Sequence, residues 1–139
     1  MSVIASAVVD GATGYAQRVR TAGHRLASDE PASRGGTDTG PAPYSLLLAA
    51  LGACTSITLR MYAARKGWDL GAIEVRLRLH QNGRDGPQRI ERELRFCAPL
   101  DDAQRARLLE IADKTPVTKT LRAGTEIETH LGLVPNVAE

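Results

Sequence analysis

The sequence has no run of basic residues, no Cys-x-x-Cys pair and no cluster of histidine with cysteine. Each absence removes a class of function. Its 18 Lys and Arg against 16 Asp and Glu leave a net charge of only +2, with the arginines dispersed, so it carries no electrostatic footprint for nucleic acid. Without a His/Cys cluster there is no ligand set for a metal such as zinc, and no cofactor motif appears either. The N-terminus, MSVIASAVVDGATG, lacks a basic segment followed by a long apolar core, so no export signal is expected and the protein is placed in the cytoplasm. In that compartment the two cysteines, Cys54 and Cys97, read as thiols. No internal repeat or second domain is visible, and residues 1–139 read as one domain.

The dominant stretch that is present runs from Pro43 to Gly67, PYSLLLAALGACTSITLRMYAARKG. Rich in Leu and Ala and free of internal proline, it predicts one helix over residues 43–66. Pro43 suits the first turn, Arg65 and Lys66 suit the last, and Gly67 supplies a left-handed cap. From Leu46 to Cys54 the side chains are apolar or small on every side, so the helix is expected to be covered nearly all round, with Cys54 buried near its middle. That run is too short to cross a membrane and gives way to Thr55, Ser56, Thr58 and Arg60. A soluble core helix is the reading.

Before this helix, Ile4–Val9, Tyr15–Arg20 and Arg25–Ser28 are β-prone runs separated by turn signals, an N-terminal meander over residues 1–30. The Gly/Pro/Asp/Ser-rich segment from Asp29 to Pro43 reads as a plain connection; it lacks the Lys-Ser/Thr of a phosphate loop. After the helix, Ile73, Val75, Leu77 and Leu79 alternate with polar residues, and Ile90, Leu94 and Phe96 return along the other side of a tight Asn82-Gly83, Asp85-Gly86 reversal. This is a β-hairpin over 72–97, with Cys97 on the face turned from the core and away from Cys54. Asp101, with Gln104 completing a capping box, opens a helix to about Lys114 that buries Leu108, Leu109 and Ala112. Thr115 as N-cap and Pro116 restart a helix to about Ala123. Thr125–Leu131 alternates as a last strand, and the tail VPNVAE reads as frayed. Trp68 reads as a core anchor, and His24, His80 and His130 as surface residues.

These elements are too few to enclose an apolar helix on all sides. A second copy would supply the cover, so an obligate homodimer is expected, its long helices packed together beneath sheets from both chains.

The segments GGTDTGPAPYSLLLAALGACTSITLRMYAARKGW and LDDAQRARLLEIADKTPVTKTL, with the hairpin between them, resemble the OsmC-like branch of the OsmC/Ohr superfamily of thiol-dependent peroxidases, from about Gly35 to Leu121. The resemblance implies an α+β fold, an intertwined dimer with antiparallel sheets wrapped around long central helices that carry the cysteine. It also implies chemistry. A helix cysteine attacks a hydroperoxide as thiolate, becomes sulfenic acid, and is resolved by a second cysteine. Cys54 matches the peroxidatic position, whereas the resolving position is Thr115, in Thr115-Pro116-Val117. Thr118 stands where this branch often has histidine, and Pro43-Tyr44-Ser45 carries no carboxylate to position an activating arginine. Arg18, Arg20, Arg25 and Arg34 are the candidates for that arginine, from either chain.

Three functions compete on this sequence. One is a hydroperoxide reductase working through Cys54, with resolution by an external thiol. Another is a structural dimer, or one that binds a small apolar ligand without turnover, in which Cys54 is a small packed hydrophobe. The third is a redox sensor. Cys97 is a possible but poorly oriented resolving thiol.

Overall fold

The computed structural model describes residues 1–132, in element order β1 (Val8–Asp10), β2 (Gln17–Thr21), β3 (His24–Ser28), α1 (Pro43–Lys66), β4 (Ile73–Gln81), β5 (Gln88–Phe96), α2 (Asp102–Ala112) and α3 (Pro116–Ala123). They form two compact units, one of residues 1–46 with residues 128–132, the other of residues 47–127. The expected frayed tail lies outside the described residues.

In the first unit, β1, β2 and β3 form an antiparallel meander in that order. Arg18 donates to Asp10 at 2.8 Å through Nε, and Arg20 lies 3.6 Å from the same carboxylate, which ties β2 to β1. The connection after β3 is more than a plain linker. Asp29, 2% exposed, accepts backbone hydrogen bonds from Glu30, Thr37 and Thr39 and hydroxyl bonds from Thr37 and Thr39, all between 2.7 and 3.2 Å. The Thr37 hydroxyl foremost, then the Thr39 bonds and the Glu30 N–H, hold the Asp29 carboxyl well below the usual carboxylate range. Composition signals a loop here but not that the loop is folded around its own anion.

In the second unit α1 carries the core. Its C-terminus is a Schellman motif: Trp68 N–H donates to Ala63 O at 2.9 Å and Gly67 N–H to Ala64 O at 3.3 Å, with Gly67 at φ 70°. Leu51, Thr55, Leu59 and Ala63, four residues apart, form its buried edge. Leu59 and Ala63 pack with Leu70, Leu100 and Leu108, and Ile73, Leu94, Phe96 and Trp68 close over them. Length and composition alone would let α1 cross a membrane, but its buried edge forms part of the core of this α+β unit. Trp68 stands edge-on to Tyr62, centroids 5.6 Å apart.

The hairpin packs its alternating face on α1. Ile73 faces Phe96, Val75 faces Leu94, Leu77 faces Arg92 and Leu79 faces Ile90. On the outer face Glu74, Arg76 and Arg78 lie opposite Arg95, Glu93 and Glu91, opposite charges that favour this register. Gly52 permits the approach, since a Cβ there would meet Leu77 Cδ1 at 2.8 Å. The reversal is a loop over residues 82–87 rather than a tight turn, closed by Asn82 N–H to Pro87 O at 3.1 Å.

Three local expectations fail for identifiable reasons. Leu109 is 60% exposed, because α2 turns Leu108 and Ala112 inward and leaves Leu109 beside that stripe. Residues 124–132 carry no strand, and Ile127 and Leu131 are exposed; alternation alone makes no strand without a neighbour to pair its backbone. Nor is α1 covered all round. Ala50, Ala53, Ile57, Met61 and Ala64 form an exposed apolar stripe, with Ile57 55% and Met61 56% exposed.

Candidate functional site

Cys54 sits on α1 between the buried edge and that exposed stripe, and is half-buried rather than enclosed. Its flank at Ala53 and Ile57 has no cover within one chain. The next residue, Thr55, is fully buried and turns its hydroxyl back to Leu51 O at 2.7 Å, the local bond open to a helical threonine.

The same hydroxyl accepts from Arg92. This arginine occupies an inward position of β5, between Ile90 and Leu94, and its side chain is 13% exposed. Nη1 donates to Thr55 Oγ1 and to Thr118 Oγ1, each at 2.9 Å; Nη2 donates to Ala112 O at 3.1 Å and reaches Asp113 Oδ1 at 3.5 Å. One guanidinium thus joins α1, the end of α2 and the start of α3. Burial pulls the Arg92 pKa below its ordinary value and Asp113 opposes that; Arg122 adds to the lowering, and the Cys54 thiolate opposes it. Through Thr55, Arg92 thus bonds the residue that follows Cys54 on α1.

Thr115 takes part in this network as well. It has the extended backbone of an N-cap, yet its side chain makes no capping bond to α3. Instead Thr115 Oγ1 lies 2.6 Å from Thr118 Oγ1, and both residues are buried. The expected cap is lost because the hydroxyl of Thr118, already held by Arg92, offers a closer partner. Thr55 and Thr118 share Nη1, so their oxygens are no more than twice 2.9 Å apart. The structure thereby brings the turn of Cys54 and the segment of Thr115 to one place.

Arg92 is the member of this network that reading the sequence missed. The signal was present: it stands in the apolar phase of β5, where an uncompensated charge needs a buried partner. Of the arginines expected to serve Cys54, Arg18 and Arg20 are engaged with Asp10 on the N-terminal sheet. Cys97 is exposed just beyond β5, on the outward phase as expected. His80 is bound to Glu91 at 3.0 Å on the outer face. Among the described residues no group of three or more His, Cys, Asp or Glu could hold a metal ion.

Beside the network lies an open cleft of about 720 Å³, lined on the apolar side by Leu47, Leu51 and Leu79 and on the polar side by Arg89, Arg92 and Asp113. Cys54 does not line it.

A sequence model of the OsmC-like protein family matches residues 36–130, which include α1, the hairpin and both later helices. The chain belongs to the OsmC-like protein family. Its fold is similar to that of several solved structures. A protein of Psychrobacter arcticus superposes with a TM-score of 0.76 at 15% identity, over 86% of this chain and 90% of that one. The OsmC-like protein of Mycoplasma pneumoniae gives 0.71 at 16%, covering 88% of each chain. The organic hydroperoxide resistance protein OhrB of Bacillus subtilis gives 0.61 at 23%, over 86% and 91%. No curated protein matches the sequence. The fold class expected from the resemblance, α+β of the OsmC type, is thus the one found.

Proposed function

We propose that the protein is a single-cysteine hydroperoxide reductase serving oxidative-stress defence, with Cys54 as its reacting thiol. The observation that supports this reading is a half-buried thiol on the central helix, at the position the family resemblance assigns to the reacting cysteine, one residue before Thr55, whose hydroxyl accepts from the part-buried Arg92. The thiolate attacks one peroxide oxygen, the O–O bond breaks, and the leaving alkoxide takes a proton to become the alcohol. Cys54 is left as sulfenic acid. Thr115 cannot form a disulfide with it, so an external thiol condenses with the sulfenic acid, releasing water, and a second thiol frees Cys54. Turnover is accordingly slower than in a two-cysteine enzyme.

The functional form is a homodimer in which the exposed stripe of α1 meets a second copy, with residues 1–139 of each chain acting as one domain. No cofactor, nucleic acid or membrane enters the scheme. Free thiols at both cysteines fit a cytoplasmic setting.

The leucine side of the cleft favours a second reading, a dimer that binds a small apolar ligand there without turnover. Steady-state consumption of cumene hydroperoxide with dithiothreitol separates the two. The reductase reading requires activity that Cys54→Ser abolishes and Cys97→Ser retains; equal, background consumption by all three proteins favours the binding reading.

A further inference from the structure

The cleft beside the Arg92 network has two unlike sides, with Leu47, Leu51 and Leu79 on one and Arg89, Arg92, Arg122 and Asp113 on the other. Its volume, about 720 Å³, is that of a small-molecule site, for which about 300–1,000 Å³ is usual. Three guanidinium groups meet one carboxylate here, and that carboxylate is already shared: Asp113 Oδ1 lies 3.1 Å from Arg122 Nη2 and 3.5 Å from Arg92 Nη2. The polar side therefore keeps an excess of positive charge. Beyond its longer-range pull on Glu91, Arg89 makes no side-chain hydrogen bond or ion pair among the described residues. Arg92 spends both Nη atoms on Thr55, Thr118, Ala112 and Asp113, while its Nε–H has no partner among the described residues. No side-chain nitrogen or oxygen among them is both buried and unpartnered, so solvent reaches that Nε.

A neutral occupant that filled the cleft would strip water from these guanidinium groups and offer no anion in return, which is costly. An occupant with an apolar chain for the leucines and a negative head for the arginines satisfies both sides. One negative charge suffices, because Asp113 already takes up part of the positive charge. We propose that the cleft is a binding site for an alkyl monocarboxylate, its chain against Leu47, Leu51 and Leu79 and its carboxylate accepting from Arg92 Nε–H beside Arg89. Cys54 does not line the cleft, so the carboxylate binds without chemistry at the thiol. The inference rests on the cleft taking a ligand at all, and it adds the charge of that ligand.

Isothermal titration calorimetry with octanoate, octanol and acetate tests this in Cys54→Ser protein, where no thiol reaction at that position can contribute. Octanoate binds at a single site per chain, octanol binds about tenfold or more weakly for want of the charged hydrogen bond, and acetate gives no heat of binding. Arg92→Gln and Arg89→Gln each weaken octanoate and leave octanol unchanged, whereas Leu79→Ala weakens both. Equal affinity for octanoate and octanol overturns the inference and leaves the apolar-ligand reading standing. Binding of neither overturns both, the outcome expected if a second copy covers the cleft. An octanoate affinity unchanged in both arginine variants also overturns the inference. Should Arg92→Gln fail to fold by circular dichroism, Arg89→Gln, which breaks no hydrogen bond among the described residues, decides alone.

Discussion

Arg92 and Thr115 meet through one hydroxyl: Thr118 Oγ1 accepts from Arg92 Nη1 at 2.9 Å and lies 2.6 Å from Thr115 Oγ1. Thr118→Val removes this shared oxygen and leaves a mostly buried N–H of Arg92 without one of its acceptors. The expected loss of stability is about 1–3 kcal/mol. Urea unfolding of the variant against the parent measures it, and a loss near zero would show that the hydroxyl is dispensable.

Thr115→Cys tests whether the resolving position is still within reach of Cys54. In a Cys97→Ser background, one equivalent of peroxide is expected to consume both thiols and give an intramolecular disulfide. The proximity of Thr55 and Thr118 across Arg92 is the basis for this outcome. Mass analysis after alkylation reads it directly, and a chain that keeps one free thiol per oxidised cysteine contradicts it.

Asp29→Asn tests the loop that follows β3. Because the native carboxyl is held below its ordinary range, its contribution to stability is present above the unfolded pKa, near 4, and is lost as pH falls through the lower folded value. The variant is therefore expected to melt below the parent at pH 7, with the gap narrowing progressively as pH drops below about 4. Thermal melts across that range would contradict this if the gap were constant.

Ile57→Glu places a charge in the exposed stripe of α1, where Ile57 is 55% exposed in the single chain. Its effect on the isolated fold is expected to be small. Its effect on assembly is expected to be large, since a buried charge at the centre of an interface has no partner. Sedimentation at micromolar concentration should show the parent as a dimer and the variant shifted to monomer; a monomeric parent would refute the dimer.

Much of this fold is legible in the sequence because its boundaries are marked by local chemistry. Pro43 and Gly67 bracket α1 over the residues expected, and Asp101 and Gln104 form the capping box that opens α2. The hairpin follows from alternation alone. What was not legible depends on groups far apart in the chain. Arg92 looks like one more charge on a charged strand until its acceptors, 26 and 37 residues away, are brought to it. Thr115 carries a cap signal, yet a neighbouring hydroxyl already fixed by Arg92 outcompetes the backbone. The cover expected around α1 and the strand expected at 125–131 both require neighbours that one chain does not supply.

Whether Cys54 reacts as the proposed reductase requires is tested most directly by the rate of sulfenic acid formation with cumene hydroperoxide and with hydrogen peroxide. Free cysteine at the same pH is the reference. The account predicts a rate several orders of magnitude above that reference, abolished by Cys54→Ser and unaffected by Cys97→Ser. A rate no faster than free cysteine would contradict it.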